Sequence, residues 1–223
     1  MRALVVEDDP GVSRQLALAL ARSGYVVETA SDGEQGCYLG DSLHFDVAIL
    51  DMHLPIMNGL EILHRWRRVG RSMPVLVLTG DEAFSTKLTA LDSGADDFLT
   101  KPFMMQEILA RVRALIRRNN GHARAIIQSG NVAMDTRSGH VTCAGQRVDL
   151  TRLETRLLEF LLYRAGSAVS RTDIYDHIYA ETNDADSNTL EVIVGRLRRK
   201  LGTTAIETVR NQGYRMPAFV HDR

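Results

Sequence analysis

Four short apolar runs in the first half of the chain each stop at a polar or charged residue. Leu4-Val5-Val6 runs into Glu7-Asp8-Asp9, and Val47-Ala48-Ile49-Leu50 into Asp51. Val75-Leu76-Val77-Leu78 runs into Thr79, and Phe98-Leu99-Thr100 into Lys101-Pro102. Uninterrupted apolar runs bounded by turn residues predict strands buried on both faces, as in a parallel sheet covered by helices. In open sheets of that kind, ligands bind outside the carboxyl ends of the strands. The pattern therefore gathers acids, a hydroxyl and an amine at one rim of one sheet.

Helical patterns separate these runs. The first opens at Pro10-Gly11, places Val12, Leu16, Ala19 and Leu20 on one face, and closes at Ser23-Gly24. Others cover Gly33 to Leu39, Gly59 to Trp66, Phe84 to Leu91 and Met105 to Arg118. With Val26-Val27 as a further strand, five strands alternate with five helices. That rhythm predicts an α/β, flavodoxin-like domain over residues 1–118, with strand order 2-1-3-4-5. Periodicity breaks at Arg117-Arg118-Asn119-Asn120-Gly121, which predicts a polar linker over 119–126.

From 127 to 223 the rhythm changes to that of an α+β domain. Short strands at 132–135, 138–142 and 147–149, separated by glycine turns, predict an antiparallel meander. Helical segments follow near 151–164, 170–179 and 187–201. A hairpin then closes the domain, its strands at 207–210 and 214–216 flanking Asn211-Gln212-Gly213.

At 223 residues the chain suffices for two ordinary domains, and 25% charged residues is usual for a soluble globular protein. Three acids by position nine argue against a secretory signal. No apolar run approaches the ~20 residues of a membrane span, so the expectation is a cytoplasmic protein. Cys37 and Cys143 fall in different predicted domains, which favours two reduced thiols over a disulfide. A net charge of −1 argues against a general polyanion binder. The charge is uneven, however: residues 119–223 hold 14 Lys+Arg against 12 Asp+Glu, and the first 118 hold 13 against 16. Four of those cations, Arg196, Arg198, Arg199 and Lys200, lie within five residues.

The residues at the strand ends suit phosphoryl chemistry. A carboxylate that attacks a phosphoryl group must share space with a dianion, so the site has to neutralise charge and hold position. Asp51 is the candidate nucleophile, forming an acyl phosphate. Glu7 and Asp8 offer hard oxygen ligands suited to Mg²⁺. Lys101 supplies an ammonium and Thr79 a hydroxyl to phosphoryl oxygens. Any one of these residues alone reads as a turn, cap or surface group. It is their ordered placement at successive strand ends that argues for a site.

Residues 1–118 resemble the receiver domain of two-component response regulators. The matching motifs are Val-Val-Glu-Asp-Asp (5–9), Leu-Asp-Met-His-Leu-Pro-Ile-Met-Asn-Gly (50–59), Pro-Val-Leu-Val-Leu-Thr (74–79) and Gly-Ala-Asp-Asp-Phe-Leu-Thr-Lys-Pro-Phe (94–103). The resemblance implies that Asp51 accepts phosphate from a sensor histidine kinase. It implies Mg²⁺ on Asp8, Asp51 and the His53 backbone carbonyl, with Glu7 assisting through water, and a cis Lys101-Pro102 bond. Phosphorylation would draw Thr79 inward and let Phe98 rotate from solvent to an inward pose, biasing a bistable arrangement. Two departures stand out. His53 occupies a position where the family often has methionine, and Asp81-Glu82 follow Thr79 at short range. Both flank the path of an attacking water, so they are expected to tune the acyl-phosphate lifetime.

The helix over 187–201 buries Leu190, Val194, Leu197 and Leu201 on one face. Asn188, Val192, Gly195, Arg196 and Arg199 project oppositely, with Arg198 at the flank, a face suited to a major groove. Residues 127–217 resemble the winged helix-turn-helix effector domain of the OmpR/PhoB family. The resemblance is carried by Leu-Thr-Arg-Leu-Glu-Thr-Arg-Leu-Leu-Glu-Phe-Leu (150–161), Val-Ser-Arg (169–171), Arg-Leu-Arg-Arg-Lys-Leu (196–201) and Thr-Val-Arg-Asn-Gln-Gly-Tyr-Arg (208–215). It implies a recognition helix at 187–201, a wing including Thr208 with Arg210 reaching a minor groove, and a 176–187 loop facing RNA polymerase. Ile193 and Gly195 replace residues that are often His and Arg in relatives, so the family's operator does not transfer.

The resemblance also implies a homodimer formed when the receiver is phosphorylated. Its charged face would comprise Lys87, Asp96, Asp97, Glu107, Arg111 and Arg118 around an apolar centre of Leu88, Leu91 and Ala110. Two other readings compete with a phosphorylation-activated transcription factor. A haloacid-dehalogenase-type enzyme would need a second Asp two residues after the nucleophile, where His53 stands. A phosphorylation-independent DNA-binding regulator would not need the complete phosphoryl constellation.

Overall fold

A computed structural model describes residues 1–80, 92–179 and 190–218. The chain forms two compact units, Met1–Asn119 and Asn120–Arg223.

The first unit is built on strands β1 (Arg2–Val6), β2 (Val26–Ala30), β3 (Val47–Asp51), β4 (Val75–Thr79) and β5 (Asp97–Thr100). All pairings are parallel and the order is β2-β1-β3-β4-β5, as expected. β3 and β4 are buried along their whole length, which is why their sequences lack polar alternation. Helices α1 (Pro10–Arg22), α2 (Gly33–Ser42), α3 (Gly59–Arg68) and α4 (Met105–Asn119) cover the sheet. The helix expected over Phe84–Leu91 lies outside the described residues.

The α2 and α3 layer sits unusually close to its neighbours. A Cβ added at Gly40 would stand 2.4 Å from the Trp66 ring, and one at Gly36 would stand 2.5 Å from Val6 Cγ1. Trp66 is fully buried within a cluster that includes Leu4, Leu50, Ile62 and Val77. Arg67 stitches α3 to the sheet edge by donating to the carbonyls of Gly94, Arg71 and Met73 and to the Asp96 carboxylate.

The second unit opens with a four-stranded antiparallel sheet, β6 (Ile126–Ser129), β7 (Val132–Asp135), β8 (Val141–Cys143) and β9 (Gln146–Val148). β6 begins inside the segment expected to be linker, and α4 extends to Asn119. In β6 the alternation is short, with Ile127 and Ser129 buried while Ile126 and Gln128 are exposed. Four residues of period two are a weak signal beside a run of Arg, Asn and Gly. Helices α5 (Arg152–Tyr163), α6 (Arg171–Ile178) and α7 (Leu190–Leu201) follow, then the hairpin β10 (Glu207–Val209) and β11 (Gly213–Arg215). Residues 176–178, expected to start a loop, close α6, and 180–189 lie outside the described residues.

Thr151 and Glu154 form a reciprocal capping box at the start of α5. Tight packing also seats the hairpin: a Cβ at Gly213 would stand 2.0 Å from the Val169 carbonyl oxygen. Cys37 and Cys143 are free thiols.

Candidate functional site: an acidic pocket at the strand ends and an exposed cationic helix

Parallel register decides which residues meet. Val6 stands opposite Leu50, so Glu7 and Asp51 emerge side by side from β1 and β3. Thr79 pairs with Thr100, and the Lys101 N–H donates to the Thr79 carbonyl at 2.8 Å, which brings the lysine back over the rim. The Lys101-Pro102 peptide bond is cis.

At the centre, the Lys101 ammonium donates to Glu7 Oε1 and Oε2 at 2.9 and 2.7 Å and to Asp51 Oδ2 at 2.5 Å. Glu7, Asp51 and Thr79 are 1%, 4% and 2% exposed, so two carboxylates share one cation in a nearly dry setting. Burial pushes the Glu7 carboxyl above its ordinary value and neighbouring Asp51 adds to this, while the Lys101 hydrogen bond opposes it. Burial by itself depresses the Lys101 ammonium, yet its bonds to Asp51 and Glu7 carry it above the usual lysine range. Asp51 Oδ1 accepts from the His53 N–H at 3.1 Å, which orients the carboxylate.

Asp8 completes the acidic group from the exposed side. One oxygen each from Glu7, Asp8 and Asp51 lies within 4.8 Å of the others. Three hard carboxylate donors converging on one point fit a small divalent cation such as Mg²⁺. Asp9, the third acid of the run, is a helix cap instead. It accepts from the N–H groups of Gly11 and Val12, and these bonds hold its carboxyl below the ordinary range.

Two glycines that the sequence reading did not single out shape this pocket. The Gly59 N–H donates to the Met52 carbonyl, and a Cβ there would stand 2.3 Å from the Asp51 carbonyl oxygen. A Cβ at Gly33 would stand 1.8 Å from the Met57 oxygen. Between them Ile56 is held at φ 71°, a strained conformation for a β-branched residue, and its side chain is 77% exposed. The Asn58-Gly59 pair at a helix start is the sequence signal that could have found this turn.

The structure brings together Glu7, Asp8, Asp51 and Lys101, with Thr79 at the adjacent strand end. Phe98 is half-buried and packs against the α2–α3 core cluster. Of the expected dimer face, Lys87, Leu88 and Leu91 lie outside the described residues, as do Asp81 and Glu82. Ala110 and Arg118 are exposed. The remaining charges have partners within the chain. Arg111 donates to both Asp97 oxygens at 2.9 and 2.7 Å and twice to Glu107. Asp96 accepts from Arg67 and from the Val75 N–H.

In the second unit α7 buries Leu190, Ile193, Val194, Leu197 and Leu201, and exposes Val192, Gly195, Arg196 and Arg199. Ile193 joins the core beside the four expected apolar positions. Asn188 lies outside the described residues. The cation run divides on inspection. Lys200 donates to the Asp149 carbonyl and to the buried Glu154 carboxylate at 2.7 Å. Burial raises the Glu154 carboxyl, but the Lys200 and Thr151 donors outweigh it and hold the group below its ordinary value. Arg198 donates to the Ile206 carbonyl and to Thr208 Oγ1, both at 2.8 Å, tying α7 to the hairpin. Arg196, Arg199 and, at the hairpin tip, Arg210 keep exposed positions.

A phosphoryl-type pocket at the rim of a doubly wound sheet, joined to a helix-and-hairpin unit, defines a receiver coupled to a transcriptional effector. Comparison with known proteins agrees. Residues 3–113 match the response regulator receiver domain, and residues 145–216 match the carboxyl-terminal domain of transcriptional regulatory proteins. The chain is 37% identical over 218 residues to the two-component response regulator PhoP of Pseudomonas aeruginosa, spanning 96% of this chain and 97% of that one. It is 41% identical over 214 residues to the transcriptional regulatory protein PmrA of Pectobacterium parmentieri, spanning 96% of each. Among solved structures, a Francisella response regulator receiver domain is 30% identical with a TM-score of 0.51, covering 52% of this chain and 97% of its own. The chain belongs to the OmpR/PhoB family of two-component response regulators, and its function is two-component transcription regulation. Among the described residues no helix is long and apolar enough to cross a membrane.

Proposed function

We propose that Asp51 is the phosphoacceptor of a phosphorylation-activated, promoter-binding regulator that works in the cytoplasm and is not an enzyme acting on other substrates. The observation that carries this is the Lys101 ammonium shared between Asp51 and Glu7, with Asp8 alongside. In the transfer, an Asp51 oxygen forms a bond to phosphorus as the phosphorus–nitrogen bond of a kinase phosphohistidine breaks, the imidazole keeping the electron pair. Lys101 holds a phosphoryl oxygen, and the Thr79 hydroxyl takes another. Asp8, Asp51 and the His53 carbonyl would hold Mg²⁺, with Glu7 acting through water, and the ion would offset the charge of the phosphoryl group.

The product would draw Thr79 toward the site and let Phe98 turn inward, biasing the receiver toward a homodimer through the face bearing Asp97, Glu107, Ala110 and Arg111. Arg196 and Arg199 on α7 then meet promoter DNA, Arg210 reaches a minor groove, and the 176–187 segment meets RNA polymerase. A dehalogenase-type hydrolase is disfavoured because His53, not a second Asp, stands two residues beyond Asp51.

The test is the intact mass of the full chain after incubation with acetyl phosphate and Mg²⁺. Wild type gains one phosphoryl group and Asp51→Ala gains none; an unchanged gain in the variant defeats the assignment. Genome-wide occupancy of the same pair shows whether phosphorylation controls DNA binding.

A further inference from the structure

Six glycines lie within helices among the described residues, and five have an internal reason to lack a side chain. A Cβ would stand 1.8 Å from Met57 at Gly33, 2.5 Å from Val6 at Gly36, 2.4 Å from Trp66 at Gly40 and 2.3 Å from Asp51 at Gly59. At Gly11 it would stand 3.0 Å from Asp9 Oδ1. Gly195 differs: a Cβ there meets nothing within 4 Å. It sits in the middle of α7, three residues after Val192 and four before Arg199, so the three share one line along the exposed face. An exposed glycine inside a helix destabilises it relative to alanine. Among the described residues no atom accounts for the missing side chain, which turns attention to what this face meets.

Resting on the reading of α7 as the DNA-contacting helix, we propose that Gly195 is a specificity-determining position. Its missing side chain leaves a notch that receives the 5-methyl group of a thymine in the major groove. Val192, 41% exposed, gives the notch one apolar wall and the helix backbone gives its floor, while Glu191, held by Arg171, and Arg198 and Arg199 form a charged rim. That backbone spends its N–H and C=O groups on the helix itself and offers no partner to a polar base edge. Thymine methyl is the one apolar group that base pairs present in the major groove. Arg196 and Arg199, exposed on either side of the notch, supply the phosphate contacts that seat the helix.

The test begins by selecting duplexes from a random pool with the full-length wild type. Thymines of the selected site are then replaced one at a time by deoxyuridine, which deletes only the methyl group. At one thymine the wild type is expected to lose about fourfold in affinity. Gly195→Ala is expected to lose about tenfold on the thymine duplex and little on the deoxyuridine duplex, because the alanine methyl occupies the vacated space. The variant should also melt at a higher temperature than wild type, which separates a binding defect from misfolding. Equal affinity of variant and wild type for the thymine duplex, or the same loss on both duplexes, overturns the inference. Failure of the wild type to select any sequence would instead defeat the DNA reading of α7.

Discussion

The Lys101 ammonium lies 2.5 Å from Asp51 Oδ2, across 50 residues of sequence, and the same nitrogen reaches Glu7. One cation therefore balances two carboxylates that are almost fully buried. Lys101→Met leaves those charges uncompensated. The variant receiver should unfold at lower urea concentration, by about 1–3 kcal/mol in chelator. Added Mg²⁺ should restore much of the loss, because the cation takes over the lysine's electrostatic role. Urea titrations of the full chain with and without Mg²⁺ measure both, and a loss that Mg²⁺ does not reduce speaks against cation binding among these acids.

Gly59 holds α3 against the carbonyl of Asp51. Gly59→Ala forces the loop between β3 and α3 outward, and overpacking of this kind costs about 1–3 kcal/mol. Phosphoryl uptake from acetyl phosphate should fall well beyond that stability loss, because the carbonyls that follow Asp51 are displaced. Uptake at the wild-type rate would show that this turn tolerates the shift.

The Glu154–Lys200 pair predicts a pH dependence in the second unit. The Lys200 and Thr151 donors depress the folded-state pKa of Glu154 below the ordinary glutamate value of 4.5. Below that value the unfolded chain binds more protons than the folded one, so stability present above pH 4.5 is lost as pH falls through the depressed folded value. Glu154→Gln should lower stability at neutral pH by about 1–3 kcal/mol and flatten its fall in acid. Parallel acid titrations of wild type and variant by circular dichroism would contradict the pair's role.

Arg198 and Arg199 are adjacent yet predict different phenotypes. Arg198→Met removes bonds to Ile206 and Thr208, so the hairpin loosens from α7 and the second unit loses about 1 kcal/mol. Arg199→Ala should leave melting unchanged while weakening DNA affinity and reducing the salt-dependence slope by about 1, as for one phosphate contact. Equal melting of the two variants would refute this division.

Arg111 binds Asp97 and Glu107 within its own chain, with side chains 24–42% exposed. Pairs this exposed contribute at most about 1 kcal/mol to stability. Arg111→Ala should therefore fold normally yet lose the dimer formed with beryllofluoride and Mg²⁺, as read by sedimentation. Retention of that dimer removes Arg111 from the interface.

Much of the first unit was legible in the chain. A strand buried on both faces must be continuously apolar, so the ends of β1, β3 and β4 announce themselves, and with them Glu7, Asp51 and Thr79; β5 is a half-buried edge strand, and Lys101 was marked by the Lys-Pro that ends its short run. The apolar face of α7 was legible for the same reason, since Leu190, Val194, Leu197 and Leu201 keep helical spacing. β6 was not, because its alternation is only four residues long.

What only the tertiary structure decided was partnership. Nothing local distinguishes Lys200 from Arg199, and both are exposed, yet Lys200 reaches back to the buried Glu154, 46 residues away. Likewise nothing local separates the glycines that Trp66 and Asp51 require from Gly195, which no neighbour among the described residues requires. Periodicity is a property of neighbouring residues and survives in one dimension. Ion pairing and steric exclusion depend on which distant segments the packed core brings within a few ångströms, and those distances exist only in the folded chain.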